Sequence, residues 1–296
     1  MSDLVTAIVP TFNYGSFVGR AVNSVLAQTH PSIQCVVVDD GSNDETRTVL
    51  ASFGPRIEVV HQDHRGVSAA RNAALARARG SFVALLDGDD CWHPRKIEVQ
   101  LAFMKQKAHL GCSGCGLEQI APGRPVDRIP GQRNAFDLRE TLRLVALREF
   151  WVTGSGSGAM IRRTTLDKVG VFDESLEAAE DWDLWLRIAA ASTIDNVPEV
   201  LVSIHRHGTG IFRNAALMER NQWRVYHKAI AAWPDVIGST DRRRIRALIL
   251  ADAAVETPEA AGALAYMLRS LAEWPFNYRR ARLAIVLAAR RLSLAG

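Results

Sequence analysis

The first 90 residues alternate four short apolar runs with segments of helical spacing, and this rhythm restricts the fold more than any other feature of the chain. Val5-Thr6-Ala7-Ile8-Val9 is apolar and β-branched and stops at Pro10, as a strand does. Phe17, Val18, Ala21, Val22, Val25 and Leu26 then recur at the period of a helix, over about residues 16–28. Cys35-Val36-Val37-Val38 is a second strand, apolar on both faces as covered parallel strands are. It runs into Asp39-Asp40-Gly41-Ser42, and Asn43-Asp44-Glu45-Thr46 reads as a helix start. Ile57-Glu58-Val59-Val60 is the third strand. Gly66-Val67-Ser68 opens a helix with Ser68 as the expected N-cap, and Gly80 closes it. Phe82 to Leu86 is the fourth strand. A βαβαβαβ order predicts an α/β fold with a mainly parallel, doubly wound sheet and helices on both faces.

Ligands of such sheets sit beyond the C-terminal ends of the strands. Thr11, Phe12, Asn13, Asp39, Asp40 and the turn Asp87-Gly88-Asp89-Asp90 all fall on that edge. Three carboxylates within four positions repel one another unless a positive charge lies among them. Oxygen ligands favour a hard cation, Mg²⁺ or Mn²⁺, which in turn holds phosphates. The plainer alternative is a solvated Asp/Gly turn capping the next helix. Neither a Gly-x-Gly-x-x-Gly nor a Gly-Lys-Ser/Thr occurs after strand one, so a dinucleotide cofactor and a P-loop are disfavoured. Phosphates would therefore need a metal and a basic residue. Arg71, in the first turn of the helix from Ser68, is the candidate; the alternative is a surface arginine like Arg77 and Arg79.

Past Asp90 the rhythm loosens. Pro94 starts a helix carrying Ile97, Leu101 and Met104, residues 121–134 read as a loop, and 136–147 fit a helix. Trp151 to Gly158 is a Gly/Ser loop with one aromatic anchor, either a linker or, before the strand Ala159-Met160-Ile161, the lining of a cleft. Glu180-Asp181-Trp182-Asp183-Leu184-Trp185 opens another helix. Acids there can simply complement the helix dipole, or Asp181 can serve as a general base. Val197 to His207 give one or two closing strands ending in His205-Arg206-His207, whose histidines are either structural or metal ligands. From about 212 the pattern is helical, with Thr240 as the expected cap of a helix bearing Arg242-Arg243-Arg244-Ile245-Arg246.

Charge is unevenly spread. Residues 206–296 hold 15 Lys/Arg against 7 Asp/Glu, while 1–205 carry 21 against 25. The stretch 278–291 sets arginines around an apolar stripe, suited to a helix on an anionic membrane surface or to one packed on the core with its arginines in water. No apolar run approaches the ~20 residues of a membrane span. A strand begins almost at once, so no secretory signal is expected and a cytoplasmic protein follows, peripheral at the inner face of the membrane on the first of those two readings of the basic stretch. Cys112-x-x-Cys115 has no second pair to complete a zinc site and reads as small buried residues.

In order, Ala7-Ile8-Val9-Pro10-Thr11-Phe12-Asn13, Ser24-Val25-Leu26-Ala27-Gln28-Thr29, Val36-Val37-Val38-Asp39-Asp40-Gly41-Ser42, Gly66-Val67-Ser68-Ala69-Ala70-Arg71-Asn72, Leu86-Asp87-Gly88-Asp89-Asp90 and Glu180-Asp181-Trp182-Asp183-Leu184-Trp185-Leu186-Arg187 resemble the motifs of the inverting family 2 glycosyltransferases. The resemblance covers about residues 4–207. It implies a GT-A domain over 1–207, with a nucleotide-binding half to 90 and an acceptor half after it, followed by a helical region over 208–296. It also implies a nucleotide-sugar donor, UDP-linked by the family pattern, a divalent metal and a glycan or lipid-linked acceptor. On that pattern Pro10, Thr11, Phe12 and Asn13 flank the base and Asp40 bonds it. Arg71 approaches the base and phosphates; Asp87, Gly88, Asp89 and Asp90 form the region that binds ribose and the metal, with Asp89 the first choice of direct ligand and Asp90 beside it; His207 approaches the metal or the diphosphate; and Asp181 is the catalytic base. The membrane spans and Gln-x-x-Arg-Trp motif of processive synthases are absent from the sequence, which points to single transfers. A nucleotidyltransferase and a non-catalytic membrane adaptor are the rival readings. Nucleic acid is not an expected partner, because the basic excess lacks a reading module.

Overall fold

The structure is a computed structural model and describes residues 3–121, 123, 125–134, 136–149, 156–207, 214–257 and 259–276. The opening alternation folds as its pattern dictates: β1 (Val5–Thr11), α1 (Gly15–Leu26), β2 (Ile33–Asp39), α2 (Thr46–Ala51), β3 (Glu58–His61), α3 (Val67–Arg77) and β4 (Phe82–Leu85). Then come β5 (Cys91–Trp92), α4 (Lys96–Gln106), β6 (Leu110–Ile120), β7 (Asp127–Ile129), α5 (Leu138–Ala146), β8 (Met160–Arg162), α6 (Arg163–Val169), α7 (Glu180–Ala191) and β9 (Thr193–His205). The last helices are α8 (Ala215–Ala232), α9 (Ser239–Glu256) and α10 (Ala260–Glu273). The sheet order is β3-β2-β1-β4-β8-β6-β9-β5, with β7 on β6. Pairing is parallel from β3 to β4, as the βα rhythm requires. The second half is mixed: β8 runs antiparallel to β4 and β6, whereas β6 and β9 are parallel.

The principal strand the sequence did not announce is β6. Its residues Leu-Gly-Cys-Ser-Gly-Cys-Gly lack the β-branched bulk that marks a strand. Packing explains the choice: a Cβ on Gly116 would stand 2.8 Å from the Glu199 carbonyl, so neighbouring backbone fills the space. Cys112 and Cys115 are buried and free, as small core residues. The short β7 falls in the stretch expected to be loop. Ser68 is not the N-cap of α3; that position belongs to Gly66 at φ 91°, in the region that favours glycine. Thr240 likewise lies inside α9, whose N-cap is Gly238.

The core of the sheet is made by the inward faces of β1, β2, β4 and α1, including Val5, Val9, Val22, Val37 and Phe82. A cation lies in this interior. Lys96, at the start of α4, is fully buried; its Nζ donates to the Ala159 carbonyl at 3.4 Å and stands 4.0 Å over the Trp92 ring. Burial pushes its pKa down to about 7.

The chain forms two compact units, one of residues 1–175 and 183–207, the other of 176–182 and 208–296. In the second, the Asn214 side chain caps α8 and the Ser270 hydroxyl of α10 ties to the Ala247 carbonyl of α9. The expected basic helix over 278–291 lies outside the described residues, as do Trp151 to Ser155 of the Gly/Ser loop. No helix among the described residues is long and apolar enough to cross a membrane.

Candidate active site

Two strand-end loops are stapled to each other before any functional side chain is considered. The first N–H groups of α1 need acceptors that no local side chain supplies. They take them from the loop after β2: Tyr14 N–H bonds Thr46 Oγ1 at 3.1 Å and Gly15 N–H bonds Asp44 Oδ2 at 2.9 Å. Asn13 N–H bonds Ser42 Oγ, and Asn43 N–H bonds Asn13 Oδ1, both at 2.9 Å. Asn13 itself adopts φ 54°, unusual outside glycine. Ser42, Asp44 and Thr46 therefore build the rim of this edge.

The adjacent aspartates divide the work. Asp39 is fully buried and accepts from Ser42 N–H, Arg47 Nε and His61 Nδ1 at 2.9–3.0 Å. Burial alone would raise its pKa, but these hydrogen bonds outweigh it and hold the carboxyl below its ordinary value. Asp40 accepts from Gln62 Nε2 (2.6 Å) and Arg65 N–H (2.9 Å) on Oδ1, and from Gly66 N–H (2.8 Å) and His64 Nδ1 (2.9 Å) on Oδ2. It thereby shapes the loop leading into α3, with every lone-pair site already facing a protein donor. His64 in turn stacks on Phe12 with ring centroids 3.9 Å apart, leaving a flat aromatic face at the rim.

The acidic turn sits beside these loops. A Cβ on Gly88 would come within 3.0 Å of the Pro10 carbonyl and 3.1 Å of Thr11, so the end of β1 leaves only a tight space there that favours glycine. Arg71 is no surface arginine: it is buried, its Nη2 donates to Asp87 Oδ1 at 2.7 Å, and its guanidinium lies 5.1 Å from the Phe172 ring centroid. Asp89 Oδ2 is 2.8 Å from His207 Nε2. The His207 ring stacks on Phe17 at 4.4 Å and meets Tyr14 edge-on at 5.5 Å. Asp90 departs from its expected role as a metal ligand. It is 3% exposed, and its two oxygens accept from Ser157 Oγ at 2.6 Å and from His205 N–H at 3.1 Å. Ser157 Oγ also accepts from Asp87 N–H at 3.0 Å, so one buried hydroxyl holds the turn at both ends. His205 thus serves the cluster through its backbone.

The charges leave a mark. Burial, reinforced by the neighbouring Asp87, raises the Asp89 carboxyl; burial with Asp87 and Asp89 raises Asp90 well above the usual range. The Tyr14 phenol, buried and facing Asp89, is pushed up as well and stays a donor. A divalent cation would relieve this crowding. No group of three or more His, Cys, Asp or Glu among the described residues is arranged to hold one. Asp89 and His207 do fit a cation that takes its remaining ligands from phosphate oxygens and water, the habit of a nucleotide-bound hard ion.

Several contributors carried too weak a signal to be singled out. Asn72 grips the backbone of Phe172 in both directions, Nδ2 to the carbonyl and Oδ1 from the N–H, each at 3.0 Å. Glu174 is held by Asn72 Nδ2 at 3.0 Å and Arg65 Nη2 at 2.8 Å. Tyr14, Phe17, Ser157 and Phe172 are single aromatic or hydroxyl residues that the spacing does not distinguish from core. In the second unit, Asp181 stands in the first turn of α7, its Oδ1 accepting from Trp182 N–H at 2.7 Å. Ala179, just before that helix, takes φ 58°, and the Glu177 N–H reaches Asn221 Oδ1 on α8 at 3.3 Å. Non-glycine residues in this region collect where function constrains the backbone.

Comparison with known proteins agrees on one lineage. Residues 6–170 match the family model described as "Glycosyl transferase family 2", and 131–231 match "Glycosyltransferase like family 2". An uncharacterized glycosyltransferase of Rickettsia prowazekii is 30% identical over 214 residues, covering 70% of this chain and 65% of that protein. A putative teichuronic acid biosynthesis glycosyltransferase of Bacillus subtilis is 40% identical over 130 residues, covering 42% and 51%. The chain therefore spans from half to just under two thirds of these relatives. Among solved structures, S. aureus TarS 1–349 in complex with UDP-GlcNAc aligns with TM-score 0.63 at 16% identity over 98% of this chain and 92% of that one. The mannosyltransferase PcManGT of Pyrobaculum calidifontis, in complex with GDP-Man and Mn²⁺, aligns with TM-score 0.61 at 20% identity over 98% and 85%. At these identities the likeness is one of fold.

Proposed function

Because the chain belongs to glycosyl transferase family 2, we propose that it transfers a sugar from a nucleoside-diphosphate donor, with UDP as leaving group, to a hydroxyl of a glycan or lipid-linked acceptor, with inversion. The observation that carries the reading is the pairing of Asp89 with His207 beside the buried Arg71–Asp87 pair, on the sheet edge where strand ends meet. The fold shared with the UDP-GlcNAc and GDP-Man complexes supports a nucleotide-sugar donor.

Each residue then has a task. Pro10, Thr11, Phe12 and Asn13 flank the base, with Asp40, its carboxylate taken up by protein donors, ordering the loop across from them. Asp87 and Gly88 meet the ribose. Arg71, held in place by Asp87 and Phe172, counters the charge that grows on the departing diphosphate. Asp89 and His207 would hold the Mn²⁺ or Mg²⁺, whose contribution when bound is Lewis-acid stabilisation of that same diphosphate. Asp90 keeps the turn in shape. Asp181 takes the proton from the acceptor hydroxyl as its oxygen attacks the anomeric carbon on the face opposite the diphosphate. One displacement inverts that carbon and needs no enzyme nucleophile. The basic charge of the C-terminal region suits a protein working at the inner face of the membrane, where a lipid-linked acceptor would be met.

A thermal-shift screen of nucleotide sugars with Mn²⁺, followed by assay of nucleoside diphosphate release, tests this. A UDP-sugar should raise the midpoint with Mn²⁺ and lose the effect in EDTA. Release of pyrophosphate from a nucleoside triphosphate instead would overturn the reading. Asp89→Ala should abolish metal-dependent donor binding in calorimetry; an affinity equal to the parent's, with metal present, would remove Asp89 from the site.

A further inference from the structure

Helix α10 has two unlike faces. Ala263, Met267 and Ser270 are buried against the rest of the second unit. On the other side Leu264 and Leu268, one turn apart, are 50% and 58% exposed, and Phe276 just beyond the helix is 74% exposed. Large apolar side chains aligned along one helix face and left in water mark a surface that something covers. The flanks are cationic. Arg269 and Arg243 are exposed, Arg243 donating to the Ala272 carbonyl at 3.3 Å, and the Arg244 guanidinium lies 5.8 Å from the Trp274 ring centroid. The neighbouring acid Glu273 is neutralised by Arg246 at 2.6 Å. The sequence after Phe276 adds Arg279, Arg280, Arg282, Arg290 and Arg291 and contains no Asp or Glu.

We propose that this ridge is the surface by which the C-terminal unit docks on an anionic lipid bilayer. Leu264, Leu268 and Phe276 enter the boundary between headgroups and acyl chains, while Arg243 and Arg269 meet the lipid phosphates. Charge decides between occupants. Two copies placed ridge to ridge would bring together more arginines than the exposed Glu259 at the N-cap of α10 can pair, and two leucines with one phenylalanine are small for a stable dimer. An anionic surface complements the rim and accepts the ridge. The inference rests on the peripheral reading of the C-terminal region given above and is independent of the donor chemistry.

The test uses the full chain, co-sedimented with vesicles of phosphatidylcholine alone and of equal parts phosphatidylcholine and phosphatidylglycerol. The parent should bind the mixed vesicles and ignore the neutral ones. Leu264→Ser combined with Leu268→Ser, and separately Phe276→Ser, should each weaken partitioning about tenfold or more, as loss of inserted apolar surface requires. Arg243→Gln with Arg269→Gln should weaken it in a salt-sensitive way. Donor hydrolysis should stay at the parent's rate in all of them, which also reports that the variants fold. Ridge variants that bind like the parent would overturn the proposal while leaving the peripheral reading in place, with charge alone as the anchor. A parent that binds neither vesicle would end both. A self-associating parent in sedimentation velocity, made monomeric by the ridge substitutions and indifferent to vesicles, would assign the ridge to a second copy.

Discussion

Asp181→Asn is expected to cut turnover by about 10²-fold or more, the usual worth of a positioned general base, while donor affinity stays near the parent's. The residues assigned to the donor lie in the unit of residues 1–175 and 183–207, whereas Asp181 belongs to the other. Asparagine keeps the shape of the side chain and the acceptor that Asp181 Oδ1 offers to Trp182 N–H, but it cannot take a proton. The loss should therefore fall on turnover and not on donor binding or the thermal midpoint. Turnover equal to the parent's, measured as nucleoside diphosphate released in the presence of acceptor, would strip Asp181 of the role. A midpoint lowered together with turnover would show that the residue works by holding the start of α7.

Lys96→Met is expected to stabilise the protein. The ammonium is fully buried with one long hydrogen bond, so the folded state holds this group with a pKa of about 7 in place of 10.5. For a base whose folded value is depressed, the unfolded chain binds the extra proton, and the penalty applies in full below about pH 7. It shrinks as pH rises and vanishes above the unfolded value of 10.5. Methionine fills similar volume without the charge. The gain at neutral pH should be on the order of 3–5 kcal/mol, since each tenfold loss of proton affinity on folding costs about 1.4 kcal/mol. Urea unfolding of parent and variant at pH 6, 8 and about 10 measures it, with the gap narrowing as pH rises. A gap independent of pH would mean that the lysine binds its proton equally in both states and that the gain is one of packing alone.

Legibility in the sequence tracks local physics. The alternation from Val5 to Leu86 was readable because apolar runs of strand length and helical spacing do not overlap there, and the strand-end acids followed from the topology. Strand β6 was not, since glycine, serine and cysteine are chosen for close backbone packing that only the tertiary structure displays. Lys96 and Gln100 are polar, so composition gives no sign of their burial; only their place eight and four positions before Met104 puts them on the buried stripe of α4. Arg71 could be placed near the site but not inside the protein, because its burial depends on Asp87 and Phe172, both distant in sequence. Asp90 reads as one more acid in a row of three, and only the hydroxyl of Ser157 and the amide of His205 turn it inward. Such partners lie 67 and 115 residues away and leave no local trace.

The dependence of Asp90 on residue 205 orders events in time. During synthesis the acidic turn leaves the ribosome more than a hundred residues ahead of the strand whose end completes it, so a nascent chain carries the carboxylates long before it carries the amide of His205 or the ring of His207. Long-range pairings of this kind form late. Donor affinity should consequently arise in one step, when β9 zips against β6 and β5, and not grow gradually as the earlier strands assemble.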